Sequence, residues 1–486
     1  MIRPLAVVTA LLGFFGVCGA FGLTGLVGCA VGPDYRAPAV SAPAAWDSSA
    51  TISPNGSVPL ERWWLALGDT QLDRMVHDAI SENHDLRIAT ARLREARAAL
   101  GLAESANNLQ VDAVGGIERN RNSAVRTQGF SDTYNTLYRA GFDAGWEIDL
   151  FGGTRRGVEA ALADLEAQGA ALRDVHVSVI AEVVVAWLDL AAANERLELS
   201  RATVVSQRQT HDLAAARFTA GLVGTADLAE AEAQIAQAEA QIPALESLKS
   251  QALVRLGVLT GRRIDAIRAA VTVPSHIPQP QDVLATGLPS ELVARRPDIV
   301  QAERNLAATT ARIGQAKAEW FPRFSLTGSF GYEASSGGNS GGNFVSKPNQ
   351  FWSIGPSVRW PILSGGRIRA NIASADARAE RAAIRYEQVV LLAFGEVENA
   401  LVSLAREQQR LRSLDAALVA QNRALAVGQE RFTRGLDAYE SVLRAQRLLI
   451  DLQDRVVLSR RAVGQNVAAL AKALGGGWNT APGAIK

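Results

Sequence analysis

Few residues in this chain have the types and spacing that chemistry requires. The five histidines show no metal-binding spacing such as H-E-x-x-H, and no Walker phosphate loop is present. Two glycine pairs, in DLFGGTRR at 149–156 and LSGGRIR at 363–369, lack the G-K-[ST] that grips phosphates. We interpret them as strand-to-helix corners, where glycine permits unusual φ and ψ. We therefore predict that the chain is not an enzyme and holds no metal or other cofactor apart from a covalent lipid.

The charge balance argues against a nucleic-acid partner. The chain has 50 Lys and Arg against 49 Asp and Glu, a formal net charge of +1, and no basic patch stands out. At 486 residues it is long enough for two or three ordinary domains.

Both cysteines, Cys18 and Cys29, lie in an N-terminal segment that has the features of an export signal. Arg3 supplies a positive charge, and residues 5–27 are almost wholly apolar or small. A single transmembrane anchor is one interpretation, since this run is nearly long enough to span a bilayer. Leu-x-Gly-Cys ending at Cys29 instead resembles the lipobox of bacterial lipoproteins, which implies acylation of Cys29. Because Ala30 is not the aspartate that resembles an inner-membrane retention signal, we expect an outer-membrane location.

The chain contains two related halves. A segment from Asp85 aligns with one from Asp298, and Gly115 aligns with Gly328 at the same offset. The two glycine pairs keep this offset, whereas RFTAGL from Arg217 and RFTRGL from Arg431 lie one residue further apart. A single inserted residue across a whole half indicates duplication of a large unit, because a solenoid would have more copies at a shorter period.

Each half has the same order of predicted elements. A helix with a heptad seam comes first, as in Leu86, Leu93 and Leu100. Alternating segments then predict two strands in each half, joined by polar loops that we interpret as hairpin tips. The four predicted strands cover residues 109–118, 137–150, 323–333 and 351–363.

Long helical patterns follow the glycine pairs. They run without proline from about 154 to 219 and from about 367 to 433, and at 1.5 Å per residue each would be a rod of about 100 Å. Each rod reverses at its RFTxGL turn and returns through a partner helix, predicted at 225–260 and 438–474. Pro243 predicts a kink or break in the first partner helix.

These patterns predict the domain boundaries. They are a lipoprotein signal peptide at 1–28, an acylated N-terminal arm at 29–66, a first repeat at 67–270, a linker at 271–290, a second repeat at 291–474 and a C-terminal tail at 475–486.

The strands offer the only predicted way through a membrane. No segment after residue 30 has 18 uninterrupted apolar residues, so we predict no spanning helix. A closed β-barrel is the alternative. Because a barrel needs at least about eight strands, the chain must associate with copies of itself if its four strands lie in a bilayer.

Several segments resemble the outer-membrane factors of bacterial export machines, the TolC and OprM group, and specifically the NodT-type efflux lipoproteins of RND systems. They are LPSELVARRPDIVQAERNLAAT at 288–309, AEWFPRFSLTGSFGY at 318–332, WPILSGGRIRANI at 360–372 and the paired RFTxGL turns. This resemblance covers nearly all of the mature chain. It implies a mixed α+β membrane protein that forms a homotrimer. Twelve strands would form one outer-membrane barrel, continued by a long α-helical periplasmic barrel.

The resemblance also implies the function. The chain would be a passive exit duct for drugs, toxic organics or metals, working with a periplasmic adaptor and an inner-membrane pump of the RND type. A periplasmic adaptor lipoprotein is one alternative, but it would have a single hairpin flanked by lipoyl-like β halves. A structural coiled-coil lipoprotein is another, but it would not need strands rich in Trp, Tyr and Phe.

The resemblance carries functional roles onto the turns. Gly221 and Gly435 are predicted to let each hairpin reverse where a Cβ would clash. In the family this turn also closes the tunnel and contacts the adaptor. The predicted adaptor contacts are Arg217, Phe218, Gly221, Arg431, Phe432 and Gly435.

Carboxylates near the turns are candidates for a pore constriction. Asp227 matches an acidic constriction position of the family, and three copies would form a ring that attracts cations; a solvated helix-face aspartate is the alternative. In the second half, Ser441 and Arg444 stand where TolC has carboxylates. The gate chemistry there should therefore differ and use Asp437, Glu440 or Arg434.

The motif ARRPDI is predicted to be structural. Pro297 would start a helix, and Arg295 and Arg296 would bond neighbouring helix ends or carboxylates.

Overall fold

A computed structural model describes residues 30–39, 43, 45–46, 59–121, 134–221, 223–280, 289–336, 343–437 and 439–478 of the chain. The lipidation prediction at Cys29, the predicted signal peptide and the tips of the two polar loops lie outside the described residues.

The described elements follow the predicted order. A 3-10 helix at Leu60–Leu67 precedes α1 (Thr70–Glu82), α2 (His84–Ser105), β1 (Gln110–Arg121), β2 (Tyr134–Ile148), α3 (Gly153–Thr219), α4 (Thr225–Leu259), α5 (Ile264–Ala270), α6 (Pro289–Arg295), α7 (Pro297–Ala318), β3 (Arg323–Ser335), a 3-10 turn (Lys347–Asn349), β4 (Gln350–Arg359), α8 (Arg367–Thr433) and α9 (Tyr439–Ala473).

The duplication is visible in the lengths of the helices. The pair α2 and α7 has 22 residues each, α3 and α8 have 67 each, and α4 and α9 have 35 each. The two long helices predicted from the sequence are therefore confirmed. Helix α4 continues through Pro243, so the predicted alternative of a break is wrong. Strand β4 ends at Arg359 rather than at residue 363.

Strand pairing locates the inserted residue. Gln110 of β1 pairs with Gly145 of β2, and Arg323 of β3 pairs with Arg359 of β4. The sequence separation between Gly145 and Arg359 is one residue longer than the separation between Gln110 and Arg323. The extra residue thus lies in the hairpin connection of the second half.

The alignment of the glycine pairs changes as a result. Helix α3 begins at Gly153 and α8 at Arg367, so these helices also keep the longer offset. Gly152, with φ +77°, therefore corresponds to Gly366, with φ +87°, and not to Gly365. The prediction that the glycine pairs keep the shorter offset is wrong.

The chain divides into two compact units, and each takes segments from both halves. The first comprises residues 1–35, 99–162 and 308–379 and contains one antiparallel sheet in the order β1-β2-β3-β4. The second comprises residues 36–98, 163–307 and 380–486 and contains the main hydrophobic core. Its largest fully buried side chains include Trp63 and Trp187.

Helices α3 and α8 each contain an 18-residue window that is apolar enough to cross a membrane by length and composition. Charged residues interrupt these windows, so a search for uninterrupted apolar runs does not detect them. In α3, 67% of the window is buried, as in the core helix of a soluble protein, whereas in α8 the buried share is 33%. Length and composition alone are weak evidence for a spanning helix.

Candidate duct and tip sites

The four-stranded sheet has one apolar face and one polar face. Because cross-strand partners point to the same side, the register assigns each residue to a face. The apolar face carries Val111, Ile117, Tyr138, Phe142, Trp146, Leu326, Phe330, Tyr332, Trp352, Ile354 and Val358. The polar face carries Asp112, Glu118, Arg139, Asp143, Glu147, Arg323, Ser325, Ser329, Glu333, Ser353, Ser357 and Arg359.

The apolar face is exposed in the single chain. Trp352 is 71% exposed, Ile354 69% and Phe142 56%. A sheet of a soluble protein buries its apolar face, so an exposed apolar face marks a surface for lipid or protein. On the other face, hydroxyl pairs bridge β3 and β4, with Oγ–Oγ distances of 2.7 Å for Ser325–Ser357 and for Ser329–Ser353. Apolar outside and polar inside is the arrangement of a transmembrane barrel.

The sheet is open at both edges. Within the described residues, the 12-residue strand β1 and the 10-residue strand β4 each pair on one side only. Long open edges leave backbone N–H and C=O groups free to pair with another chain. In a bilayer these groups must be paired, because lipid offers them no partner.

Two tryptophans occupy equivalent positions at one end of the sheet. The indole N–H of Trp146 donates to Asn107 O at 2.9 Å, and that of Trp360 donates to Trp320 O at 3.0 Å. The tryptophan side chain combines a polar N–H with an apolar ring and is therefore typical of a membrane interface. Sequence reasoning found strands rich in Trp, Tyr and Phe but did not match Trp146 with Trp360. The equal spacing from Trp146 to Gly152 and from Trp360 to Gly366 is a signal that could have matched them.

In each RFTxGL turn, a glycine with positive φ donates its N–H to the carbonyl of the phenylalanine three residues earlier. Gly435 has φ +76°, its N–H bonds to Phe432 O at 2.9 Å, and Leu436 N bonds to Arg431 O at 2.9 Å, which is a Schellman C-cap. Gly221 has φ +73°. A Cβ added at either glycine would meet no atom of the described residues within 4 Å, so the predicted clash is wrong. The left-handed φ is the reason for glycine at both turns.

Arg217 and Phe432 meet across the two turns. The Arg217 guanidinium donates to Phe432 O at 2.8 Å and lies 3.9 Å from the centroid of the Phe432 ring. The Phe432 ring is 4% exposed and belongs to a small core with Ala214, Ala231, Val442 and Leu443.

Arg431 binds within its own turn. Its Nε and Nη2 lie 2.8 Å and 3.1 Å from the two Asp437 carboxylate oxygens. This hydrogen-bonded pair lowers the pKa of Asp437 and raises that of Arg431. Sequence reasoning did not link Arg431 to Asp437, although their spacing within one tight turn permits it.

The three candidate constriction carboxylates have separate partners. The Asp227 carboxylate accepts from the Gly224 N–H at 3.1 Å and so caps α4. Glu440 pairs with Arg444 at 2.6 Å on the exposed surface of α9. One chain thus brings Asp437 to Arg431 but assembles no carboxylate ring from these three residues.

The motif ARRPDI has the predicted structural role. Pro297 begins α7, and Arg295 lies 3.5 Å from Glu61. The buried Arg296 guanidinium donates to Ala473 O at 3.0 Å and pairs with Asp298 and Glu396, each at 2.7 Å. Burial opposes its charge, but the hydrogen bonds to the two carboxylates raise the pKa of Arg296 above its ordinary value.

Among the residues that the structure describes, no group of three or more His, Cys, Asp or Glu side chains could hold a metal ion.

A two-faced sheet with open edges, joined to paired helices of 67 and 35 residues, is the architecture of a membrane channel subunit. Residues 75–262 and 288–476 match the family described as outer membrane efflux protein, and the chain belongs to this family. These matches confirm the family resemblance.

Individual relatives agree along nearly their whole length. Nodulation protein T of Rhizobium leguminosarum bv. trifolii is 30% identical over 455 residues, which cover 93% of this chain and 96% of that protein. Outer membrane protein OprJ of Pseudomonas aeruginosa is 33% identical over 476 residues, covering 95% of this chain and 96% of that protein. The structure of the outer-membrane channel OprN superposes with a TM-score of 0.85 at 33% identity, covering 93% of this chain and 100% of that one. The predicted mixed α+β fold class, efflux role and outer-membrane location are confirmed.

Proposed function

We propose that the chain is one third of the outer-membrane exit duct of a tripartite efflux system. Three copies joined edge to edge would contribute twelve antiparallel strands, with the apolar faces toward lipid and the polar faces toward the pore. The observation that carries this proposal is the sheet itself, with its exposed apolar face and its two open edges.

The duplication supports a specific register between copies. Because β1 corresponds to β3 and β2 to β4, the pairing of β2 with β3 inside one chain corresponds to pairing of β4 with β1 of the next copy. Arg139 of β2 corresponds to Ser353 of β4, and Glu333 of β3 corresponds to Asn120 of β1. Because Arg139 pairs with Glu333 within one chain, Ser353 should lie opposite Asn120 of the neighbouring copy. In this arrangement β4 and β1 of the next copy are antiparallel, so the contact between copies repeats the pairing of β2 with β3 and the ring closes with antiparallel pairs throughout.

Exposed apolar side chains on α8 also support association. Leu391 is 72% exposed, Ile384 59% and Leu392 53%. Burying such side chains between copies stabilises the assembly by about 25 cal/mol per Å² of apolar surface. The helices of three copies would then continue the duct as a periplasmic barrel.

The partners follow from the family. The duct conducts passively, contacts a periplasmic adaptor through the two RFTxGL turns and receives its substrates from an inner-membrane pump, for which an RND type is proposed. Phe218, which is 39% exposed, is the aromatic ring of the turns that is most open to an adaptor, whereas Phe432 is buried. Cys29 is the proposed site of acylation. No enzymatic activity is proposed.

The experiment that tests the duct is reconstitution of the purified protein. Trimers that resist cold detergent and fall to monomers on boiling, together with single-channel steps in planar bilayers, are expected. A monomer without conductance would instead favour an adaptor or a structural lipoprotein. Labelled palmitate should enter the wild type but not the variant Cys29→Ala.

Asp227 is the proposed constriction residue of the first half. Asp227→Asn removes the charge but keeps an oxygen that can cap the Gly224 N–H, whereas Asp227→Ala removes both. Equal loss of cation preference in the two variants is expected, with weakening of the α4 terminus only in Asp227→Ala. Unchanged cation preference in both would leave Asp227 with the capping role alone.

A further inference from the structure

The first described residues of the chain lie in a groove at the corner between β2 and α3. The Val31 N–H donates to Phe151 O at 3.1 Å, and the Arg156 Nε donates to Val31 O at 3.4 Å. The backbone of Val31 thus makes two hydrogen bonds to the corner.

Three glycines allow this segment to approach closely. A Cβ at Gly32 would lie 2.4 Å from the Gly314 Cα, and one at Gly314 would lie 2.7 Å from Val31 O. On the other side, a Cβ at Gly152 would lie 2.6 Å from the Ala30 Cα. These distances are all below van der Waals contact, so the arm and its groove fit only because all three positions lack side chains.

The charged side chain of Arg156 holds the segment in the groove through an ion pair. Its side chain is 6% exposed, and its guanidinium lies 2.6 Å from Asp34 Oδ1 and 2.7 Å from Glu159 Oε2. Asp34 itself is 86% exposed, so the buried arginine reaches outward to a residue of the arm. A buried guanidinium requires such partners, because leaving it unpaired is strongly unfavourable.

The groove lies next to the apolar end of the sheet. Phe151, whose carbonyl binds the arm, stacks on Phe321 with ring centroids 4.7 Å apart. The residue before Phe321 is Trp320, whose carbonyl accepts the indole N–H of Trp360. The arm therefore enters the fold beside the tryptophans that mark the proposed membrane interface.

We propose that this groove is a seat for the mature N-terminus, and that it directs the acyl chains of Cys29 into the bilayer beside the strand ends of their own chain. Gly152, Gly314 and Arg156 form the seat, and the occupant is the segment Ala30–Asp34. This inference rests on the proposed acylation of Cys29. The lipid is then a part of the folded barrel end rather than a tether on a loose arm.

The duplication provides a matched control for the test. Gly314 in α7 corresponds to Gly101 in α2, as Asp298 corresponds to Asp85. In the described part of the chain, a Cβ at Gly101 would meet nothing within 4 Å. Gly314→Ala should therefore expel the arm, whereas Gly101→Ala should leave it seated. Arg156→Met removes the charge but retains most of the chain length, and Arg156→Lys tests rescue by a cation.

The experiment combines two measurements on the purified, full-length protein in nanodiscs. Hydrogen exchange of the Val31 amide reports seating. A photoactivatable palmitate analogue, incorporated at Cys29, reports where the acyl chain lies through its crosslinked peptides. We expect slow exchange and crosslinks around Trp320 and Phe321 in the wild type and in Gly101→Ala. We expect exchange at least tenfold faster, and loss of those crosslinks, in Gly314→Ala and Arg156→Met.

The outcomes separate this inference from the acylation on which it rests. An acyl mass on Cys29 together with unchanged exchange and crosslinks in Gly314→Ala and Arg156→Met would overturn the seat. Absence of an acyl mass from the wild type would overturn the lipid anchor instead, whatever the exchange rates. If Gly314→Ala does not assemble, the contrast between Arg156→Met and Arg156→Lys decides.

Discussion

The two RFTxGL turns have nearly the same sequence but different surroundings. Both end a 67-residue helix at a glycine with positive φ. Phe432 is 4% exposed, whereas Phe218 is 39% exposed. Arg431 binds Asp437 in its own turn, whereas Arg217 reaches to the carbonyl of Phe432 in the other.

One position explains this difference. When Arg217 is aligned with Arg431, Asp437 corresponds to Val223, so the first turn has no carboxylate at that position for its arginine. Arg217 is therefore available to cover the Phe432 ring and to bond its carbonyl. A duplicated motif thus acquires two roles, a self-contained turn and a turn that joins its neighbour, through a change outside the motif.

The largest expected effect is a difference in stability between the alanine variants of Phe432 and Phe218. Phe432→Ala leaves a cavity in the tip core and should destabilise the tip by about 3–5 kcal/mol. Phe218→Ala should destabilise it by less than about 1 kcal/mol but weaken adaptor binding. Hydrogen exchange of the last turns of α3 and α8 measures the first effect, and titration with the adaptor measures the second. Equal loss of stability in the two variants would contradict the comparison.

Substitution of the glycine in either turn should reduce stability by a similar amount. Gly221→Ala and Gly435→Ala each force a Cβ into a left-handed conformation, which costs about 1–2 kcal/mol. Gly428→Ala is the control, because Gly428 lies in the same region of α8, has open space around it and is not among the positive-φ glycines. There alanine should stabilise the helix by about 0.5–1 kcal/mol. Thermal unfolding of the three variants measures the differences, and a milder effect at only one turn would show that the turns are not equivalent.

A smaller effect should follow from giving the first turn its missing carboxylate. Val223→Asp should draw Arg217 away from Phe432. A double-mutant cycle between Arg217→Met and Phe432→Leu should give a coupling of about 0.5–2 kcal/mol in the wild type. In the Val223→Asp background the coupling should approach zero, and an undiminished coupling would refute the role given to Val223.

The smallest effect concerns pH. Arg431 holds the pKa of Asp437 below its usual value of 3.8. A carboxylate with a lowered folded pKa stabilises the tip above the unfolded value and loses this contribution as pH falls through the folded pKa. Tip exchange in the wild type and in Asp437→Asn should therefore differ by the same factor at about pH 7 and about pH 5. A difference that disappears between these two values would contradict the lowered pKa.

The regular parts of the fold could be predicted from the sequence because they depend on local patterns. The ends of α3 and α8 follow from the glycine pairs and the RFTxGL turns. The seat formed by Gly314 and Arg156 could not be predicted, because it depends on contacts between segments that are far apart along the chain. The position of the inserted residue could not be predicted for a similar reason. Gly365 and Gly366 permit two alignments, and only the strand pairing and the helix starts of the folded chain choose between them.

The central claim is that the open edges of one sheet are closed by copies of the same chain. The most direct measurement is disulfide formation in the double variant Asn120→Cys and Ser353→Cys, which should lie opposite each other across neighbouring copies. Within one chain these positions lie on the two outer strands of the sheet. Three strand spacings alone separate them by about 14 Å, and their register adds a further offset along the strands, so they are too far apart for a disulfide. We predict covalent trimers that survive boiling without reductant, and none in the control with Asp112→Cys in place of Asn120→Cys. Monomers alone in both variants, at full oxidation, would contradict the claim.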